Sequence, residues 1–191
     1  MLLFCRLKEV LFKVAPKKLD IKSRTYENLK KALAGESQAA LKYGFFASKA
    51  KKDGYEEIAE ILKEISHNEV EHAKIWYKLI NDGISDTLQN IKIAANGEKY
   101  EWDYMYKNFS KEAKEEGYEE IANLFEKVAE IEKDHEATYN KIIELLETNK
   151  VFESEEECVW LCRNCGHIHI GKKPPEKCPV CEHPQGFFEK R

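Results

Sequence analysis

The sequence predicts an all-α four-helix bundle followed by a small metal-binding β-ribbon domain. Three observations carry that fold class. The first 147 residues contain a helical unit twice over. Every predicted helix has an apolar stripe broken at the same depth by Glu or His, and the C-terminal stretch holds two Cys-x2-Cys pairs.

The repeat sets the order of elements. "SRTYENLKKALAGE" (23–36) matches "SDTLQNIKIAANGE" (85–98), and "GYEEIAEILKEISHNEVEH" (54–72) matches "GYEEIANLFEKVAEIEKDH" (117–135). Each unit reads as helix, glycine-containing turn, helix, with Gly54 and Gly117 at the turns and Asn81-Asp82-Gly83 ending the second helix. Helices are predicted over 22–51, 55–80, 86–115 and 118–147. An acidic "ESEEE" then leads into a segment rich in Cys, Gly and Pro. The predicted domains are an N-terminal extension (1–21), the helical domain (22–149), a linker (150–157) and the four-cysteine domain (158–191). The extension is expected to be a short amphipathic packing helix, with Leu3, Leu7, Val10 and Val14 on one face, or a loosely ordered tail.

Composition removes several classes of function. Charged residues make up 35% of the chain with a net charge of -4 and both signs interleaved, so no nucleic-acid footprint stands out. No apolar run approaches the roughly 18 to 20 residues a membrane span needs. The opening segment is interrupted by Arg6, Lys8, Glu9 and Lys13, poor material for a secretory signal. Four of the six cysteines cluster in metal-type spacing, which predicts a reducing, cytoplasmic setting; Cys5 and Cys158 receive no role.

The chemistry lies where the stripes break. In the second helix Ile58, Ile61, Leu62 and Ile65 lead to Glu69 and His72, and Trp76, Leu79 and Ile80 resume the stripe. Leu29, Ala32 and Leu33 lead to Glu36 in the first helix, and Ile91, Ala94 and Ala95 lead to Glu98 and Glu101 in the third. In the fourth, Leu124, Phe125 and Val128 lead to Glu132 and His135. An unpaired carboxylate in a low-dielectric interior costs several kcal/mol, and a group of them repel one another. No Lys or Arg occupies the equivalent inward positions, so a salt-bridge network does not neutralise them. Two divalent cations would. One Glu from each of two helices plus Glu-x-x-His from the other two is the ligand pattern of di-iron and di-manganese bundles. The repeat places Ala39 opposite Glu101, so Glu101 is a seventh candidate with no twin.

Cys162-Arg-Asn-Cys165 and Cys178-Pro-Val-Cys181 form the two pairs of a closed tetrahedral site. Spacing alone does not separate iron from zinc. Trp160, Phe187 and Phe188 are expected to build a miniature core there, with His167, His169 and His183 on or near its surface.

"AGESQA" with a downstream tyrosine, two Glu-x-x-His motifs, "GEKYE" and "CRNCGH…CPVC", in that order, resemble the rubrerythrin family across residues 22–191. The resemblance implies a ferritin-like bundle with a C-terminal rubredoxin-like domain. It implies a di-iron centre held by Glu36, Glu69, His72, Glu98, Glu101, Glu132 and His135, with Glu69 and Glu132 bridging, and one iron on the four cysteines. One iron is expected to exchange His72 for Glu101 between reduced and oxidised states, with Tyr43 and Tyr106 near the site. The implied activity is reduction of hydrogen peroxide to water, with electrons from an NAD(P)H-linked reductase or a rubredoxin passing through the cysteine-bound iron. The chain has no G-x-G-x-x-G, so a separate protein handles the nicotinamide. Alternatives are a ferroxidase or iron-handling ferritin relative, which leaves the cysteine module unexplained, and a non-enzymatic redox sensor or electron carrier.

Chain length between helices adds an expectation about assembly. In a ferritin-like bundle the second helix connects to the far end of the third, a gap of about 33 Å at ~1.5 Å per helical residue. The peptide from Asn81 to Ser85 spans roughly 14 Å when extended. Either the start of the third helix unwinds or, as the repeated "SDTLQNIK" favours, a homodimer exchanges helix pairs, with Glu36, Glu69 and His72 of one chain meeting Glu98, Glu101, Glu132 and His135 of the other.

Overall fold

The computed structural model describes residues 19–191; the expectations for Cys5 and for the amphipathic face of the extension lie outside them. The helices are α1 (Arg24–Lys52), α2 (Glu56–Asn81), α3 (Thr87–Tyr100), a π-helical segment (Glu101–Met105), α4 (Tyr106–Glu115) and α5 (Glu119–Glu147). The strands are β1 (Cys158–Cys162), β2 (Ile168–Gly171) and β3 (Phe188–Lys190), with a 3-10 turn at Gln185–Phe187. The chain divides into two compact units between Ile84 and Ser85.

In the first unit α1 packs on α2. Ser23 opens α1 by accepting from the Tyr26 N–H at 3.1 Å, which satisfies one of the orphan donors of the first turn. The turn between the helices is closed by Gly54 N–H to Lys51 O and Tyr55 N–H to Ala50 O, with Gly54 at φ 87. A side chain there is strained, which explains the glycine. The helix seam buries small residues: Ala40, Ala47 and Ala59. Small side chains let two helices approach closely. Taken by itself, the hairpin leaves the larger aliphatics Ile58, Ile61 and Ile65 exposed.

The second unit repeats that plan. Asp86 caps α3 by accepting from the Gln89 N–H at 2.9 Å. Gly117 N–H to Lys114 O and Tyr118 N–H to Ala113 O reproduce the first hairpin's turn. Its seam buries Ala95, Ser110, Ala113 and Ala122, while Ile121, Leu124 and Ile131 stay exposed on the hairpin.

One difference departs from the expectation of a single unbroken third helix. At Glu101 the helix widens into a π turn, and the Tyr106 N–H reaches back five residues to the Glu101 carbonyl. The sequence contains the cause. The two copies of the repeat are one residue farther apart at Tyr43/Tyr106 and Gly54/Gly117 than at Glu36/Glu98. One residue inserted into a helix pinned at both ends is absorbed as a π bulge.

The C-terminal domain is a three-stranded antiparallel sheet in the order β2-β1-β3. Alternation along β1 turns Trp160 and Cys162 inward, against Cys178 and Phe188. The Trp160 indole N–H donates to Gly171 O at 2.9 Å, so its one polar group is satisfied in the core. Phe187 departs from the expected miniature core. It ends the 3-10 turn, is 39% exposed, and packs edge-on against His183 at 4.5 Å between ring centroids. Of the preceding linker, Ser154 donates its N–H to Lys172 O at 2.8 Å and Glu153 pairs with Lys173 at 2.5 Å.

Candidate metal centres

The structure gathers three groups of metal-type ligands among the described residues. In the first unit α1 presents Glu36, and α2 presents Glu69 and His72 three positions apart on one face. Their ligand atoms lie within 4.8 Å of one another. Glu69 Oε2 stands 2.8 Å from His72 Nδ1.

In the second unit Glu98 of α3 meets Glu132 and His135 of α5, again within 4.8 Å. His135 Nδ1 lies 2.7 Å from Glu132 and 3.8 Å from Glu98. The carboxylates are half-buried and both imidazoles are more exposed. Burial, followed by the hydrogen bond and charge of Glu132, holds the Glu98 carboxyl above its ordinary range; His135 opposes the rise and Glu101 adds to it. Two carboxylates pressed together this way are relieved by a cation between them. Oxygen-rich donors with one imidazole per group suit iron in either of its common charges.

Glu101 is the first residue of the π segment and does not belong to the close group of Glu98, Glu132 and His135. Its charge still reaches them: with Glu132 and Glu98 it adds to the rise of the Tyr106 hydroxyl, which burial drives first. Tyr106 packs against Phe109 and Phe125, at 6.3 and 5.9 Å between centroids. Tyr43 lies half-buried on α1, 6.4 Å from Phe46.

The four cysteines form the third group, with Sγ separations of 3.7 Å for Cys162–Cys181 and for Cys165–Cys178. Four sulfurs at the corners of a tetrahedron, each about 2.3 Å from a central metal, stand about 3.8 Å apart. These two separations match that spacing, and all four sulfurs lie within 4.8 Å of one another. The His183 backbone N–H, chiefly, draws the Cys181 thiol down to about 5, aided by Cys165, Asn164 and Cys178 and opposed by burial. The His167 backbone N–H favours the Cys165 thiolate in the same way. Hydrogen bonds from Cys165 to the other sulfurs, together with burial, outweigh that and push Cys165 to about 12. The sulfurs share protons that a metal would displace. Gly166, at φ 77, gives the first cysteine loop its left-handed turn; Glu182, at φ 61, occupies the same place in the second.

Sequence reading located all ten residues of these groups. It did not locate the π segment, although the one-residue change in repeat spacing marks it.

Comparisons with known proteins agree with this architecture. The family model described as Rubrerythrin matches residues 27–143, and that described as Rubrerythrin, rubredoxin-like domain matches residues 160–189. The chain is 43% identical to the rubrerythrin of Porphyromonas gingivalis, over 87% of this chain and 90% of that one. It is 42% identical to rubrerythrin-1 of Clostridium acetobutylicum, over 87% of this chain and 94% of that one. It is 41% identical to the rubrerythrin of Nitratidesulfovibrio vulgaris, over the same shares. The chain belongs to the rubrerythrin family of peroxide-reducing oxidoreductases, and it carries the Glu and His groups of a di-iron carboxylate site in its helical region and a four-cysteine iron-type site in its rubredoxin-like domain.

Proposed function

We propose that the chain is a cytoplasmic non-haem iron peroxidase that reduces hydrogen peroxide to water, drawing electrons from NAD(P)H through a separate reductase or rubredoxin. The observation that carries this reading is the pairing, in one chain, of two Glu-x-x-His half-sets with a four-cysteine cage. A ferroxidase needs only the former. Among the described residues no helix is long and apolar enough to cross a membrane.

Glu36, Glu69, His72, Glu98, Glu101, Glu132 and His135 are the residues that would hold the iron pair, with Glu69 and Glu132 as the carboxylates the two irons would share. When bound, the ferrous pair supplies the two electrons that cleave the peroxide O–O bond. The carboxylates would offset the charge of the irons, and Glu101, standing outside the close group, would be the carboxylate offered in exchange for His72. Tyr43 and Tyr106 are the tyrosines proposed to stand near the site. Cys162, Cys165, Cys178 and Cys181 would hold one iron, which would supply single-electron transfer.

Each half-set comes from one hairpin, and the linker supports the expectation that two chains complete each other. Asp82 ends α2 in a left-handed cap and Asp86 caps α3, so only residues 82–86 connect two fully formed helices. Mixing a copy carrying Glu69→Ala and His72→Ala with one carrying Glu132→Ala and His135→Ala tests the exchange. An exchanged dimer regains one intact site per pair; sites built within one chain regain none.

The activity is tested by anaerobic stopped-flow. Reduced protein mixed with hydrogen peroxide should recover the absorbance of the cysteine-bound ferric iron much faster than with oxygen. Faster recovery with oxygen indicates a ferroxidase or oxidase, and absence of turnover with a supplied reductase indicates a sensor or carrier.

A further inference from the structure

Four residues that each directly follow a candidate ligand meet on the outside of the second unit. Lys99 follows Glu98, Trp102 follows Glu101, Lys133 follows Glu132 and Glu136 follows His135. One step along a helix turns about 100°, so the neighbours of inward ligands form a layer beside them. Trp102 is its centre. Its indole N–H donates to Glu136 Oε2 at 2.6 Å, joining the π segment to α5. Lys99, Lys107 and Lys133 bring their ammonium groups to 5.2, 5.0 and 5.5 Å from its ring centroid. Asp103 pairs with Lys107 at 2.7 Å and with Lys99 at 3.9 Å, steadying two of the three.

This fastening falls where the helix needs it. A π turn is held by poorer hydrogen bonds than the α-helix around it, and Glu101 opens this one. We infer that Trp102 is a positioning residue: its hydrogen bond to Glu136 and its lysine-covered ring anchor the π segment to α5, so that the Glu101 side chain swings while its backbone stays fixed. The inference rests on the reading of Glu101 as an exchanging ligand. The halves differ here as the idea requires. The first unit has no inserted residue and no carboxylate matching Glu101: Ala39 and Ala40 lie where Glu101 and Trp102 lie in the second, counting from the paired Glu36 and Glu98.

Two measurements separate the tether from the ligand. In metal-free protein, Trp102→Phe keeps a ring for the lysines but removes the N–H donor. It is expected to speed amide hydrogen exchange across residues 101–106 about tenfold, the factor associated with losing a hydrogen bond to a charged group. Glu136→Ala should do the same and Glu136→Gln, which keeps an acceptor oxygen, should largely restore protection. In iron-loaded protein, Mössbauer spectra of Trp102→Phe should show a heterogeneous oxidised pair and an unaltered reduced pair. Unchanged amide exchange in both Trp102→Phe and Glu136→Ala overturns the inference. Glu101→Gln is the control: if it leaves the oxidised spectrum as in the parent, the ligand reading fails, while amide exchange still decides the tether.

Discussion

The two hairpins are the same sequence idea executed twice, and the comparison shows what a single added residue does. Both open on a polar cap, turn on a glycine of positive φ, bury a seam of alanines and present one Glu against a Glu-x-x-His. Only the second contains a π turn, and only there do a further carboxylate, Glu101, and a fastened indole, Trp102, stand beside the metal-type group. A duplicated scaffold gives two equal half-sets. The insertion makes them unequal, which a centre whose irons change charge can use.

If the half-sets are equivalent as ligands, Glu69→Ala and Glu132→Ala should be equally damaging. Each is expected to lower peroxide turnover by about a thousandfold or more, roughly 4 kcal/mol of barrier, and to leave only the cysteine-bound iron in metal analysis. Unequal losses would mean one hairpin holds metal alone. Erasing the asymmetry is the next largest effect. Deleting Asp103 should return the third helix to continuous α geometry and rotate Glu101 off the site, slowing the peroxide step about a hundredfold in stopped-flow with helical circular dichroism unchanged.

Stability should follow the shared features and ignore the insertion. Ala59 and Ala122 are each fully buried at equivalent seam positions. Ala59→Leu and Ala122→Leu should each destabilise by about 2 kcal/mol in chemical denaturation, by overpacking. The smallest effect sharpens a minor difference. Ser66 donates its hydroxyl to Ala40 O at 2.7 Å, whereas Ala129 occupies the matching place in the second copy. Ser66→Ala should cost about 1 kcal/mol and lower the melting temperature by a few degrees.

Much of this was legible in the sequence, for identifiable reasons. Periodicity exposed the carboxylates and histidines because burying charge conflicts with an apolar stripe, and Cys-x2-Cys spacing is set by the dimensions of a four-sulfur cage. Gly54 and Gly117 were legible because their φ excludes side chains. The π turn escaped because face-by-face reading follows helical phase and not the distance between repeats. Phe187 was misplaced because its direction depends on a 3-10 turn that composition does not mark. Trp102 carries no signal in the sequence because its partners, Lys133 and Glu136, come from another helix and meet it only when α5 is packed in place.

The central claim is that the clustered acids of the two hairpins are tolerated because a pair of irons neutralises them. Anomalous diffraction at the iron edge, from crystals grown with ferrous iron, tests it most directly. The account predicts two adjacent peaks bounded by Glu36, Glu69, Glu98 and Glu132 with His72 or Glu101 on one iron and His135 on the other, and a third peak among the cysteines. A third peak alone, with the seven side chains turned toward solvent, would contradict it.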